Sequence, residues 1–183
     1  MIEQEAVLTE AEIIRRFQAG DREAFRTLVE KYQNVLYGTA YLMIGNRMVA
    51  EDQVQEAFLS AWKGIGSFRT GCPLKPWLIR TLVNKVLSYR RANSKTIISL
   101  DTELVADPVA VDPVEDIELS DQLQRVLQNL PEEQRQVVLL RYFTGLSLAE
   151  TSAAVGRRQG TVKSQIHRAL EQLKNLIEHD KRQ

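Results

Sequence analysis

Apolar residues recur every three or four positions along most of the chain, and this spacing predicts amphipathic α-helices rather than strands. Thr9 and Glu12 fit a capping box that begins a first helix, and Gly20 followed by Asp21 ends it and supplies an N-cap for the second. The glycines and prolines of residues 64–76 predict a loop. Four helices are predicted in this half of the chain, at about residues 9–19, 22–44, 48–63 and 77–92.

The same helical spacing returns in the second half after an interruption. Residues 94–112 are acidic and contain proline, which is typical of a flexible linker. Asp112 followed by Pro113 then predicts a helix start, because proline fits the first helical position. Four more helices are predicted at about 113–129, 132–143, 148–155 and 160–178. The sequence therefore predicts an all-α fold of two small helical domains, 9–93 and 113–178, joined by a flexible acidic linker.

The last two predicted helices have the pattern of a helix-turn-helix. Ser147 and Glu150 form a capping box, Gly156 ends the first helix, and the second follows within a few residues. One face of the second helix is apolar and is predicted to pack inward: Val162, Ile166, Ala169, Leu170, Leu173, Leu176 and Ile177. The opposite face carries Thr161, Lys163, Ser164, His167, Arg168, Glu171 and Lys174. Near the N-terminal end of the helix, these hydroxyls and cations suit phosphates and base edges in the major groove; an ordinary solvated polar face is the alternative.

The fourth helix also has two different faces. Leu78, Ile79, Leu82, Val83, Val86 and Tyr89 form an apolar stripe, whereas Trp77, Arg80, Thr81, Asn84, Ser88 and Arg91 fall on the other side. Cations and amides bind phosphates and bases, and aromatic rings stack on unpaired bases, so this face suits a strand of nucleic acid. Phe68 and Trp77 flank the glycine-rich loop and are predicted to stand outside the core.

The third helix carries a separate acidic and amide face, made of Glu51, Asp52, Gln53, Gln55 and Glu56. This face is either simply solvated or a docking surface for a basic helix of a partner protein.

The charge is unevenly distributed, although the whole chain is neutral with 24 basic and 24 acidic residues. Residues 57–100 hold eight basic residues and no acid, and residues 101–121 hold eight acids and no base. A basic surface of this kind suits a polyanion. The alternative is that the two blocks neutralise each other within the fold.

Composition excludes several classes of site. The single cysteine, Cys72, cannot form an internal disulfide. The chain has only two histidines, His167 and His179, so a zinc site with several cysteine or histidine ligands is not expected. We predict no metal, no cofactor and no catalytic residues, because no phosphate-binding loop or nucleophile–base pair is present. No apolar run is long enough for a membrane span, and the charged N-terminus does not resemble a secretion signal, so a cytoplasmic protein is expected.

Several short motifs, taken in order, resemble one protein family. The three main runs are 50–58 (AEDQVQEAF), 76–80 (PWLIR) and 160–164 (GTVKS). Gly20-Asp21 with Ala24-Phe25, and Leu130-Pro131 with Arg141-Tyr142, fit the same order. Together they resemble the bacterial RNA polymerase sigma factors of the extracytoplasmic-function (ECF) group of the sigma-70 family.

The resemblance implies a promoter-specificity subunit of RNA polymerase without catalytic activity. It implies a contact between Asp52, Gln55 and Glu56 and the coiled-coil helices of the largest polymerase subunit. It implies recognition of the minus-ten element, with one base turned out of the duplex, by Phe68, Arg69, Lys75, Trp77, Arg80, Asn84, Ser88 and Arg91. It implies recognition of the minus-thirty-five element by Arg158, Gln159, Thr161, Lys163, Ser164, His167 and Arg168. Control by an anti-sigma factor, often membrane-anchored, in a stress or envelope response is the family's usual regulation.

The chain departs from the family pattern at three places. Many members have serine where this chain has Arg158, which cannot accept a capping hydrogen bond but could bind a phosphate. Thr151 and Ser152 replace a common aliphatic residue and alanine, and the loop contains an atypical Gly71-Cys72. Two other functions stay open at this stage: a stand-alone helix-turn-helix regulator, and a helical adaptor that binds only proteins.

Overall fold

The computed structural model describes residues 9–93 and 117–180, except for the side chains of residues 117–120, 177, 179 and 180. The helices are α1 (Glu10–Gln18), α2 (Glu23–Ile44), α3 (Arg47–Gly64), α4 (Leu74–Asn93), α5 (Ile117–Gln128), α6 (Glu132–Val138), α7 (Leu148–Val155) and α8 (Gln159–Asp180). A 3₁₀ turn, Ile65–Ser67, follows α3, and a π-helical turn, Leu139–Phe143, continues α6. The all-α fold class is confirmed, with no strand in the described part of the chain.

Local capping sets the helix starts much as the sequence predicts. The Thr9 N–H donates to Glu12 Oε2 at 2.8 Å, and the Glu12 N–H donates to Thr9 Oγ1 at 3.3 Å, which completes the capping box of α1. Asp21 Oδ1 accepts from the N–H groups of Glu23 and Ala24, at 3.1 and 3.3 Å. The carboxylate thus satisfies two N–H groups that have no partner within α2.

One predicted helix boundary differs from the structure, and another lies outside the described residues. Helix α4 begins at Leu74, so Lys75 and Pro76 lie in its first turn and not in the loop. Proline is tolerated there because its missing N–H has no helical partner to lose, and the fully buried Leu74 anchors the turn. The predicted linker, 94–112, and the predicted helix start at Asp112-Pro113 lie outside the described residues.

Helix α2 lies at the centre of the N-terminal helices and contacts α1, α3 and α4. Its residues Leu28, Leu36 and Ala40 are at most 1% exposed. Most of the predicted stripe of α4 packs inward: Leu78, Ile79, Leu82, Val83 and Val86 are buried, and Tyr89 is half-buried.

The C-terminal helices contact the N-terminal ones: α5 and the π-helical turn lie against α2, and α7 lies against α4. Asp121 of α5 accepts a hydrogen bond from the Tyr41 hydroxyl at 2.6 Å and one from Arg47 Nη2 at 3.1 Å. The ring of Phe143 covers Gly38 so closely that a Cβ there would lie 2.7 Å from its Cζ. The two helical groups that the sequence predicts as separate units therefore share a contact surface in this structure.

The hydrogen bonds around Asp121 make this surface sensitive to pH. The Tyr41 hydroxyl, and beside it the Arg47 guanidinium, hold the pKa of the Asp121 carboxyl below its ordinary value. A lowered pKa stabilises the contact above the ordinary carboxyl pKa, and this stabilisation is lost as the pH falls through the lowered pKa. The contribution of Asp121 to the contact should therefore be lost under acidic conditions.

We predict that Asp121→Asn weakens the contact by about 1 kcal/mol, because the half-exposed carboxylate loses charge-assisted hydrogen bonds. Spin labels on the exposed Cys72 and on an Asn175→Cys variant would report the distance between the two groups of helices. The distribution should shift to longer distances in Asp121→Asn. Asp21→Asn, which removes a carboxylate that pairs with Arg16 inside the N-terminal group, should leave it unchanged. An identical distribution in Asp121→Asn and the unmodified chain contradicts the prediction.

Candidate nucleic-acid interface

The basic face of α4 is formed because the helix buries its apolar stripe. Arg80, Asn84, Ser88 and Arg91 all lie exposed on the opposite side, at spacings of four, four and three residues that align them along one helix face. Arg91 Nη2 donates to Ser88 Oγ at 3.2 Å. The face is thus a row of donors in which Ser88 orients the last guanidinium. Thr81 does not extend it, because its hydroxyl donates to the Trp77 carbonyl at 2.9 Å.

Phe68 and Trp77 are placed differently from the prediction, which set them outside the core. Both rings are half-buried against the core, with centroids 5.2 Å apart. The indole lies over the bare backbone of Gly64, where an added Cβ would be 3.2 Å from Trp77 Cζ2. Large rings pack where apolar area can be buried, so the pair forms the edge of the core and keeps only part of its surface in solvent.

The loop between α3 and α4 carries the remaining N-terminal candidates. Arg69 is exposed, and Lys75 is half-buried in the first turn of α4. The Ser67 hydroxyl donates to the Gly64 carbonyl at 3.0 Å, and the Cys72 N–H donates to the Arg69 carbonyl at 3.3 Å. Arg69 follows Phe68 directly and Lys75 lies two residues before Trp77, so both are near in sequence to the two rings that are in contact.

The predicted helix-turn-helix is formed by α7 and α8. Ser147 and Glu150 make both bonds of the capping box, at 2.8 and 3.2 Å, and the Ser147 hydrogen bonds hold the pKa of Glu150 below its ordinary value. Gly156 ends α7 in the left-handed region at φ 67°. Arg158 directly precedes α8, and its carbonyl accepts from the Val162 N–H at 3.1 Å. Thr151 and Ser152, the two unusual residues of α7, are buried.

The polar face of α8 is exposed at every predicted position: Arg158, Gln159, Thr161, Lys163, Ser164, His167 and Arg168. Its apolar face is narrower than predicted. Val162 and Ala169 are fully buried, whereas Leu170 is 41% and Leu176 37% exposed. Leu170 lies about 100° around the helix from Ala169, at the edge of the stripe. The Ile177 side chain lies outside the described part of the structure.

Glu133 is a residue of this site that the sequence did not indicate. Its two carboxylate oxygens accept from Arg157 Nη2 at 2.5 Å and from Gln165 Nε2 at 2.7 Å. The side chain therefore ties α6 to the turn of the helix-turn-helix and to α8. These pairs are separated by 24 and 32 residues, and no local pattern indicates contacts over such distances.

The acidic face of α3 is exposed in part, because Glu51 and Gln53 of the predicted face are half-buried. Asp52, Gln55 and Glu56 are all exposed on one side of the helix. Lys85 Nζ of α4 lies 3.2 Å from Glu56 Oε2, so one member of the acidic face is already paired with a cation.

The two charge blocks do not neutralise each other within the described side chains. Asp121 is the member of the acidic block whose side chain the structure describes, and it pairs with Arg47, outside the basic block. Lys85 and Arg90 of the basic block pair with Glu56 and Glu132, which are outside the acidic block. None of the helices in the described ranges is both long and apolar enough to cross a membrane.

Comparison with known families and proteins gives consistent matches over most of the chain. Residues 28–96 match the family described as Sigma-70 region 2, and residues 120–173 match Sigma-70, region 4. The ECF RNA polymerase sigma factor SigW of Bacillus subtilis is 35% identical over 176 residues, which cover 90% of this chain and 94% of that protein. The ECF RNA polymerase sigma-E factor of Haemophilus influenzae is 35% identical over 185 residues, covering 93% and 96%.

A solved structure agrees with these matches. The sigma factor RpoE from Bartonella quintana, in complex with the anti-sigma factor NepR, superposes with a TM-score of 0.71 at 28% identity, over 85% of this chain and 98% of that one.

Proposed function

The chain belongs to the ECF RNA polymerase sigma factors of the sigma-70 family, and we propose that it divides promoter recognition and polymerase docking among the three surfaces described above. As a sigma factor it is a non-enzymatic subunit that initiates transcription. The observation that carries the proposal is the pair of exposed donor rows on α4 and α8, one within each matched region. We propose domain boundaries at 9–93 and 113–178 with a linker at 94–112, and action in the cytoplasm beside the polymerase.

The minus-ten element is the proposed ligand of the N-terminal surface. Arg69, Arg80 and Arg91 would bind the phosphates, and Asn84 and Ser88 offer hydrogen bonds to the bases. Turning a base out of the duplex costs a few kcal/mol, which a stacking surface must offset. The partly exposed rings of Phe68 and Trp77, 5.2 Å apart, support such a surface, with Lys75 beside them.

The minus-thirty-five element is the proposed ligand of the polar face of α8. A recognition helix enters the major groove with its N-terminal residues on the base edges, and the proposed residues occupy the first three turns of α8 and the position before it. Arg158 would bind a phosphate in place of the missing cap. The side chain of His167 is exposed, with its Nε2 atom 3.8 Å from Glu171 Oε1. This exposure fits a polar contact in the groove.

Core polymerase is the proposed partner of the acidic face of α3. Asp52, Gln55 and Glu56 would meet the coiled coil of the largest subunit, a surface that must then be basic. Regulation by an anti-sigma factor is also proposed, supported by the similarity to RpoE of Bartonella quintana, whose complex with an anti-sigma factor is known. The matches to both regions favour the sigma-factor function over a stand-alone regulator or an adaptor.

Transcription in a reconstituted system tests the proposal as a whole. Purified protein and core polymerase are incubated with fragments of the source genome, and transcript starts are mapped. Transcript starts preceded by one shared pair of minus-ten and minus-thirty-five sequences support the proposal. If the protein adds no transcript start to those that core polymerase makes alone, the proposal is wrong.

We predict that Lys163→Ala and Arg168→Ala weaken binding to a minus-thirty-five duplex. A lost base contact costs about 1–3 kcal/mol, and a lost phosphate contact lowers the slope of log affinity against log salt by about one. Holoenzyme affinity for the duplex, measured over a salt series, separates these effects. Lys174→Ala, on the same helix but beyond the proposed contacts, is the matched control and should bind as the unmodified protein does. Unchanged affinity and slope in both variants would contradict the prediction.

We predict that the double variant Asp52→Lys/Glu56→Lys weakens core polymerase binding about tenfold, because like charges then face each other at the interface. Fluorescence anisotropy of labelled protein titrated with core enzyme measures this affinity. The control Glu23→Lys/Glu30→Lys reverses two exposed carboxylates of α2, so it changes the net charge by the same amount, and it should have no effect. If the control loses as much affinity as the double variant, the effect follows net charge and the assignment to α3 is wrong.

A further inference from the structure

The C-terminal end of α1 contacts the turn that leads into the proposed minus-ten loop. The side-chain amide of Gln18 donates to the backbone carbonyls of Ile65, Gly66 and Phe68, with Nε2–O distances of 3.1, 3.3 and 3.0 Å. A primary amide has two N–H groups, so the two donors are shared among three acceptors. These partners lie 47–50 residues away in sequence.

The helical ladder ends at these acceptors, so they are open to a side-chain donor or to water. The last carbonyls of a helix have no N–H four residues ahead, and after the 3₁₀ turn the chain becomes extended at Phe68, with φ −68° and ψ 130°. The Phe68 N–H donates back to the Ile65 carbonyl at 3.1 Å. The carbonyls of Gly66 and Phe68 have Gln18 as their described partner, so this one side chain sets the point at which the loop leaves the helix.

The position of Gln18 is itself fixed by the core. Its neighbour Phe17 packs edge-on against Trp62 of α3 with ring centroids 4.7 Å apart, and against Phe25 at 5.5 Å. At the other end of α1, Glu10 accepts hydrogen bonds from Lys31 and Tyr32 of α2, both at 2.5 Å. Helix α1 is thus held at both ends, and Gln18 is presented to the turn at a fixed distance.

We propose that Gln18 is a positioning residue for promoter reading: by holding the carbonyls of residues 65, 66 and 68, it fixes the loop that presents Phe68 and Arg69 to an unpaired base of the minus-ten strand. This inference rests on the proposed role of that loop. A loop ordered in advance does not lose its conformational freedom on binding, so its affinity for the strand is higher. In this proposal Gln18 makes no contact with DNA and acts only through the loop backbone.

Substitution of Gln18 tests the proposal with the complete protein bound to core polymerase. Gln18→Glu keeps the size of the side chain but places carboxylate oxygens against the carbonyls, and Gln18→Ala removes the donors without adding charge. Gln18→Lys restores N–H donors. The matched control is Gln172→Glu in the C-terminal helices. It removes a hydrogen bond of the same kind, which the side-chain amide of Gln172 donates from Nε2 to the Asn129 carbonyl at 2.8 Å.

The probe is a single-stranded oligonucleotide selected from a randomised pool by the unmodified holoenzyme. We expect Gln18→Glu and Gln18→Ala to bind it about tenfold more weakly, as the loss of two ordinary hydrogen bonds allows. Gln18→Lys should recover most of the affinity, and Gln172→Glu should bind normally. Affinity for core polymerase and for a minus-thirty-five duplex should be unchanged in all four variants. Hydrogen exchange at residues 66–70 should be faster in Gln18→Glu and Gln18→Ala.

Three outcomes overturn the inference: normal binding of the strand by Gln18→Ala, an equal loss of strand, duplex and core binding, or unfolding of both Gln18→Glu and Gln18→Ala, which assigns the residue to stability alone. Phe68→Ala and Arg69→Ala, measured in parallel, separate this result from the parent proposal. If those two variants bind the strand normally, the role of the loop in reading DNA is wrong, whatever Gln18 does.

Discussion

Burial of α2 is the interaction on which the N-terminal half of the molecule depends. Its apolar positions are closed off by α1, α3 and α4, and each fully buried leucine such as Leu28 or Leu36 contributes about 1.5–3 kcal/mol. Each surrounding helix must turn its apolar stripe toward α2 or its neighbours, so its polar side is left outside. The donor row of α4 and the acidic face of α3 are consequences of this requirement, and neither needs a separate structural cause.

The C-terminal helices also turn their apolar sides inward and leave their polar sides outside, but they offer less apolar surface for burial. Helix α8 is 22 residues long, while its main supports, α6 and α7, have seven and eight. Support beneath α8 therefore ends before the helix does, which is why Leu176 is partly exposed although it continues the stripe of Ala169. The contact with the N-terminal helices adds Asp121, Tyr41 and Arg47, which are polar, and Phe143, which remains 44% exposed. Beneath these half-exposed groups, Leu139 and Leu140 of the π-helical turn and Ala154 of α7 belong to the same buried apolar core as α2 and α4. The contact is therefore a shared apolar core with a polar edge.

Features encoded within a few residues could be predicted from the sequence, and features that join distant residues could not. The capping boxes at Thr9 and Ser147 and the buried stripe of α4 follow from local spacing, and all are present. The burial of Trp77 was missed because it depends on Gly64 leaving room for an indole from the next helix. Gln18 and Glu133 were missed for a similar reason: their acceptors and donors are brought near only by the packing of α1, α3, α6 and α8. The roles assigned to the promoter-facing side chains stay predictions.

A loop that reads bases must be held in place without burying the side chains that contact the bases, and the hydrogen bonds of Gln18 meet this requirement. A loop is ordinarily fixed by burying its side chains, but burial would remove Phe68 and Arg69 from the ligand they are proposed to meet. Hydrogen bonds to the backbone carbonyls hold such a loop without using its side chains. Gln18 binds three of them, and the indole of Trp77 covers Gly64 at the start of the same turn. Gln18 is not among the proposed DNA contacts, so it holds the loop while Arg69 and the exposed part of the Phe68 ring remain available.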